Sequence, residues 1–203
     1  MSNADMPSHT LRRRLNLFAA IAGMVLCASS YGADWTLPDL MHSLAQKKSG
    51  KASFVEKKYM AILDKPLESS GELSFEAPDR LEKRTLKPHP EVMLLDGDKL
   101  TVTLHDKRPL YLRLQDHPEV AALVDSIRGT LSGDQVALEK NYTIEFTGTQ
   151  NKWQMTLTPV QKAVTKVVSQ IRIGGADANL KTITFDQTDG DRSEMMISKV
   201  VAP

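Results

Sequence analysis

Gly71-Glu72-Leu73-Ser74-Phe75-Glu76 and, further on, Leu94-Leu95-Asp96-Gly97-Asp98-Lys99-Leu100 decide the fold of this chain. In the first stretch apolar and polar residues alternate, which is the period of a strand with one face in a core and the other in water. In the second, Asp96-Gly97 is a tight turn that joins an apolar strand, Glu91 to Leu95, to another through Leu100, Val102 and Leu104. Arg80 to Lys87 lies between them as a highly charged strand. The pieces add up to a meander of antiparallel strands.

Towards the N-terminus, Phe54 and its neighbours begin the first strand of that meander. Ahead of it, Trp35-Thr36-Leu37-Pro38-Asp39-Leu40 reads as a helix start, with Thr36 as cap, Asp39 three residues later and Trp35 stapling onto Leu40. Leu37, Leu40, Met41 and Leu44 recur at helical spacing. The helix is expected to run to about Lys48, with Gly50 as its left-handed terminator.

Towards the C-terminus, Leu110, Leu112 and Leu114 alternate with Tyr111 and Arg113. Asp116 is then placed to cap a helix, with Glu119 in the matching position and Val120, Leu123, Val124, Ile127 and Leu131 as its apolar stripe. Ser132 and Gln135 suggest a short helical turn ending near Asn141. A second meander follows: Tyr142, Ile144 and Phe146 pair with Trp153, Met155 and Leu157 across a turn containing Gly148. Pro159 ends that strand, and Val160 to Val167 fits either helix or loop. Ile171 and Ile173 resume the alternation. Two last strands, around Ile183-Phe185 and Met195-Ile197, join at Asp189-Gly190. There is no internal repeat and no low-complexity stretch.

The first thirty or so residues have the three parts of a Sec-type export signal: basic Arg12-Arg13-Arg14, an apolar run from Leu15 to Ala28, and small residues up to Ala33. The apolar run is shorter than the ~20 residues that span a bilayer. Residues 1–32 are therefore expected to be a cleaved signal peptide, and 33–203 a single exported domain starting near Ala33. The only cysteine, Cys27, falls inside the apolar run behind Met24-Val25-Leu26, which is not a lipidation signal. A mature chain without thiols has no disulfide, cysteine nucleophile or thiolate metal site. With 26 basic and 25 acidic residues, the net charge of +1 gives no reason to expect nucleic acid as a partner.

The sequence carries none of the phosphate-binding, dinucleotide-binding, serine-elbow or zinc-helix motifs. His42, His89, His105 and His117 stand on separate segments, none at ligand spacing. Asp186, Asp189 and Asp191 lack the glycine position and bidentate glutamate of a calcium loop, and read as a hairpin turn. The chain is therefore expected to be no enzyme and to need no metal or other cofactor. The large apolar residues Phe75, Met93, Leu95, Trp153, Met155 and Met195 remain. They fit a solid core, and they equally fit a curved sheet that leaves a hollow lined by methionine and leucine for an aliphatic guest.

In element order, the helix, Ala52-Ser53-Phe54, Gly71-x-Leu73-x-Phe75, Pro78-Asp79-Arg80-Leu81, and Pro90 followed by Leu94-Leu95-Asp96-Gly97-Asp98-Lys99-Leu100 resemble the outer-membrane lipoprotein carrier protein family, LolA. The resemblance implies a mainly β (α+β) fold: an unclosed antiparallel β-barrel, or strongly curved sheet, whose helices cover a hydrophobic cavity for acyl chains. It implies a monomeric periplasmic carrier, loaded by an inner-membrane donor complex and relieved of an acylated cargo, lipoprotein or lipid, by an outer-membrane acceptor. The related receptor protein, LolB, is itself a lipoprotein, so the missing lipidation signal points to the soluble carrier side. The family's carriers bear an arginine just before the proline that follows the glycine strand, where it helps to hold the lid closed. This chain has Ala77 there, with Arg80, Lys83 and Arg84 nearby.

Three functions follow from the resemblance: a carrier of lipoproteins, a carrier of another lipidic molecule in a dedicated lipid or glycolipid export pathway, and a non-transporting sensor or scaffold on the same fold. Ala77 favours the second. The cavity is expected to be lined by Leu73, Phe75, Met93 and Leu95 on the sheet and by Leu123 and Ile127 on the central helix. Trp153, Met155 and Met195 complete the expected lining.

Overall fold

A computed structural model describes residues 35–105 and 107–199. The export signal, its cleavage near Ala33, and Cys27 lie outside the described residues.

Helix α1 (Leu37–Ala45) begins as its sequence dictates. The Asp39 backbone N–H donates to Thr36 Oγ1 at 3.4 Å, and the Thr36 N–H donates back to Asp39 Oδ2 at 2.9 Å. This reciprocal pair satisfies donors that have no partner inside the helix. The hydrogen bonds from Thr36 also hold the Asp39 carboxyl below its usual range. Leu40, Met41 and Leu44 are buried. The helix is shorter than expected: it stops at Ala45, where the Lys47 N–H turns back to the Leu44 carbonyl at 2.9 Å. Gly50 does not terminate it. Gly50 is already within strand β1 (Ser49–Tyr59), opposite Phe75, because hydrogen bonding to the neighbouring strand claims the backbone from Ser49 onward.

The first meander is β1, β2 (Leu67–Glu76), β3 (Arg80–Lys87), β4 (Glu91–Asp96), β5 (Lys99–Leu104) and β6 (Leu110–Arg113). The second is β7 (Tyr142–Thr149), β8 (Lys152–Pro159), β9 (Val168–Ala176), β10 (Asn179–Gln187) and β11 (Arg192–Lys199). All belong to one antiparallel sheet in the order β6-β5-β4-β3-β2-β1-β11-β10-β9-β8-β7. The meanders meet where β1 pairs with β11, from Ala52 opposite Lys199 to Tyr59 opposite Arg192. β6 and β7 stand at the two ends of this order, so the sheet is not closed.

The connection between the meanders holds helices α2 (Pro118–Ser132) and α3 (Gln135–Asn141). Asp116 does not cap α2. Pro118 occupies the first turn, which makes His117 the N-cap, and the Asp116 carboxylate instead accepts from Arg113 Nε at 3.2 Å. Gly133 ends α2 in the left-handed region, φ 68°, where an added Cβ would meet the Met41 carbonyl oxygen at 2.1 Å. Asp134 caps α3 by accepting from the Ala137 N–H at 2.9 Å. Residues 160–167 form a chain of turns that buries Val164, so the loop reading holds there.

Register puts directly opposed residues on one face. One row crosses the first meander as Gly50, Phe75, Leu81, Leu95 and Leu100, and the next as Ala52, Leu73, Lys83, Met93 and Val102. Across the second meander a row runs Glu56, Met195, Ile183, Ile173, Met155 and Phe146. The halves differ in what covers them. Leu40, Leu44 and Leu138 of α1 and α3 pack into the second half together with Trp153, Met155, Leu157, Ile171 and Ile173. Over the first half, α2 packs Val120, Ala121 and Val124 near Leu95, Leu100 and Leu114.

Candidate functional site

Between α2 and the sheet lies a cavity of about 630 Å³. Its floor is the two rows of the first meander, Phe75, Leu81, Leu95 and Leu100 beside Leu73 and Met93, continued by Ile183, Phe185, Met195 and Ile197 from β10 and β11. Its roof is the stripe of α2, Val120, Leu123, Val124, Ile127 and Leu131. These positions recur every three or four residues, so one helix face carries them all. The roof is fastened at two places. The Tyr142 hydroxyl of β7 donates to the Ala122 carbonyl at 2.8 Å, and its burial pushes the phenol pKa up to about 12. Arg128, ion-paired with Asp125, donates from Nη1 to the Gly97 carbonyl in the β4–β5 turn at 3.1 Å.

Seven of the nine residues expected to line a cavity are brought together here: Leu73, Phe75, Met93, Leu95, Leu123, Ile127 and Met195. Trp153 and Met155 are not among them. Met155 is wholly buried, and Trp153, 2% exposed, donates its indole N–H to the Asp177 carbonyl at 2.8 Å. Both sit in the half of the sheet that α1 and α3 fill with side chains, so no space is left beside them. The expectation missed Leu81 and Leu100, which lie opposite Leu95 on the two strands that flank it. It also missed Leu44, Ala178 and Leu180, which reach the cavity from α1 and the β9–β10 end.

The charges in the lining were not anticipated either. Of the three basic residues near Ala77, Arg80 pairs with Asp96 at 3.2 Å and Arg84 with Glu82 at 2.7 Å. Lys83 turns into the cavity and meets Glu56 of β1 at 2.5 Å. Ala77 is outside the lining; its N–H donates to the Lys48 carbonyl at 2.8 Å. Burial opposes ionisation of Glu56, yet the Lys83 charge and the hydrogen bonds from Lys83, Ser193 and Ser69 together hold the carboxyl below its usual range. A carboxyl with a depressed pKa in the folded state contributes stability above its unfolded value of about 4.3, and loses it as pH falls through the folded value. Glu56→Gln should therefore lower stability near neutral pH by about 2 kcal/mol, the worth of a charge-assisted hydrogen bond. The gap from wild type should narrow as pH drops below about 4. Urea midpoints across pH measure this, and a gap independent of pH would refute it.

Among the described residues no group of three or more His, Cys, Asp or Glu is placed to hold a metal, and no helix is long and apolar enough to cross a membrane. The chemistry that this geometry supplies is shelter: a mostly apolar hollow within the ~300–1,000 Å³ range of small-molecule sites, with the Lys83–Glu56 ion pair in its wall and Lys47, Lys51, Glu82 and Lys199 also in its lining.

Residues 27–201 match the family described as outer membrane lipoprotein carrier protein LolA-like. A Dechloromonas aromatica (strain RCB) protein named outer-membrane lipoprotein carrier protein is 26% identical over 163 residues, which cover 80% of this chain and 76% of that one. A protein of the same name from Methylibium petroleiphilum (strain ATCC BAA-1232 / LMG 22953 / PM1) is 25% identical over 184 residues, 90% of this chain and 86% of the other. Among solved structures, a LolA superfamily protein from Nitrosomonas europaea superposes with a TM-score of 0.45 at 10% identity, covering 83% of this chain and 96% of its own. With the family pattern reaching from before α1 to beyond β11, this chain belongs to the outer membrane lipoprotein carrier protein LolA-like family.

Proposed function

We propose that the protein is a periplasmic carrier that takes the acyl chains of a lipoprotein or other lipidic cargo into the cavity beneath α2 and shuttles them towards the outer membrane. The observation that carries this reading is the apolar cavity of about 630 Å³ in a chain of a carrier family. A hollow of that size with leucine, isoleucine, valine, methionine and phenylalanine walls favours an alkyl chain over water, at about 0.8 kcal/mol per sheltered methylene. An inner-membrane donor complex would load the carrier and an outer-membrane acceptor would empty it. Ala77, where the family's carriers bear an arginine, turns the reading towards a dedicated lipid or glycolipid export pathway rather than general lipoprotein traffic.

Native mass spectrometry of protein purified from its own periplasm tests this. The expected result is a monomer starting near Ala33, without lipid on Cys27, that carries an extractable acylated molecule. A protein recovered empty that also fails to bind a fluorescent acyl probe would overturn the carrier reading. Recovery only in membranes after a high-salt wash would overturn the soluble periplasmic one.

A further inference from the structure

In the wall of this apolar cavity, an ammonium and a carboxylate face each other with unequal use of their hydrogen-bonding capacity. Lys83 Nζ donates to Glu56 Oε2 at 2.5 Å, and the two side chains are 27% and 17% exposed. Glu56 also accepts from Ser193 Oγ on Oε1 at 2.5 Å and from Ser69 Oγ on Oε2 at 3.5 Å, so three donors occupy it. Register explains how Lys83 reaches across. It lies opposite Leu73, two residues along β2 from Gly71, and Gly71, opposite Phe54, puts no side chain between β3 and β1. The ammonium comes to rest 5.1 Å from the centre of the Phe54 ring, a favourable place for a cation. An ammonium has three N–H donors and Glu56 takes one. The unused capacity belongs to Lys83, which lines the cavity beside Leu73 and Met93.

Two properties of the pair select the chemistry of what meets it. The pair is neutral as a unit, and a second anion at Lys83 would lie close to the Glu56 carboxylate, where like charges repel. A neutral acceptor meets no such repulsion. We propose that Lys83, held by Glu56, is a polar anchor that donates to the carbonyl oxygen joining an acyl chain to the rest of the cargo. The site then prefers ester- or amide-linked acyl groups to free fatty acids and to chains without a carbonyl. This inference rests on the acyl-carrier reading and narrows its substrate class.

Competition against a fluorescent acyl probe tests it, with methyl dodecanoate, dodecyl methyl ether and dodecanoic acid as competitors. For the wild type, the ester should outcompete the ether about tenfold, as expected for a hydrogen bond to a charged donor. The free acid should gain no advantage over the ester. In the folded double variant Glu56→Gln with Lys83→Met, which removes both members of the ion pair together, ester and ether should compete equally. Independently of any variant, the infrared carbonyl stretch of the ester should move to lower frequency when it binds the wild type. Equal competition by ester and ether in the wild type, an unshifted carbonyl, a tighter free acid, or an ester preference that survives in the double variant would each overturn the anchor. A wild type that binds neither the probe nor any competitor fails at the carrier reading instead, and the anchor falls with it.

Discussion

Phe75→Glu and Leu123→Asp, in variants that keep the wild-type circular dichroism spectrum, should lose binding of a fluorescent acyl probe, whereas Glu72→Ala should bind it normally. Phe75 lies in the floor of the cavity between Gly50 and Leu81, and Leu123 in its roof on α2. Each methylene kept from water contributes about 0.8 kcal/mol, so a long chain gains on the order of ten kcal/mol before ordering costs. A carboxylate facing that chain must be desolvated without a partner, which costs several kcal/mol, so affinity should fall at least a hundredfold, to within ~1% of wild type. Glu72 is exposed on the opposite face, opposite Ser53 and Arg84, and has no part in the lining. If Phe75→Glu fails to fold, Leu123→Asp stands on its own, because Leu123 is only partly buried. Undiminished binding in both folded variants would move the ligand out of this cavity.

Gly71→Ala should unfold at markedly lower temperature than wild type. Gly71 is buried where β2 and β3 slip register, between Ser70 opposite Lys87 and Gly71 opposite Thr85. A Cβ added there would meet the Arg84 carbonyl oxygen at 1.9 Å and the Thr85 Cα at 2.9 Å. Both are backbone atoms, so relief requires the strands to separate rather than a side chain to rotate. Overpacking of this kind costs about 3 kcal/mol, which lowers the melting temperature of a domain this size by about 6–12 °C. Gly50→Ala is the control: nothing lies within 4 Å of the Cβ it would add, so its melting temperature should stay within about 2 °C of wild type. Thermal unfolding followed by circular dichroism decides between them. A Gly71→Ala protein as stable as Gly50→Ala would mean that β2 and β3 are not held as close as described.

The errors of the sequence reading have a common cause. The sequence pattern points to Gly50 as the terminator of α1, yet Gly50 is claimed by pairing to Phe75, a partner whose position depends on strand register. The capping pattern points to Asp116 for α2, while Pro118 in the first turn makes His117 the cap. Lys83 reads from the sequence as one charge on a charged strand, and β3 is that strand, but nothing local shows its partner. Its ion pair depends on Glu56, 27 residues away, and on the bare backbone of Gly71 between them.

The sequence by itself determined the two meanders, the capping box at Thr36 and Asp39, and which residues share a strand or helix face. Those features follow from the two-residue and 3.6-residue periods and from contacts within a few residues of the chain. It did not distinguish a hollow from a solid core, because Met155 and Met195 alternate in the same way on one cross-strand row. Only the tertiary structure separated them. It joins β1 to β11, packs α1 and α3 against Trp153, Met155 and their neighbours, and leaves space beneath α2 over the first meander and the adjoining Ile183, Phe185, Met195 and Ile197. Whether an apolar face is filled or left open depends on which side chains arrive from distant segments, and no local pattern in the chain records that.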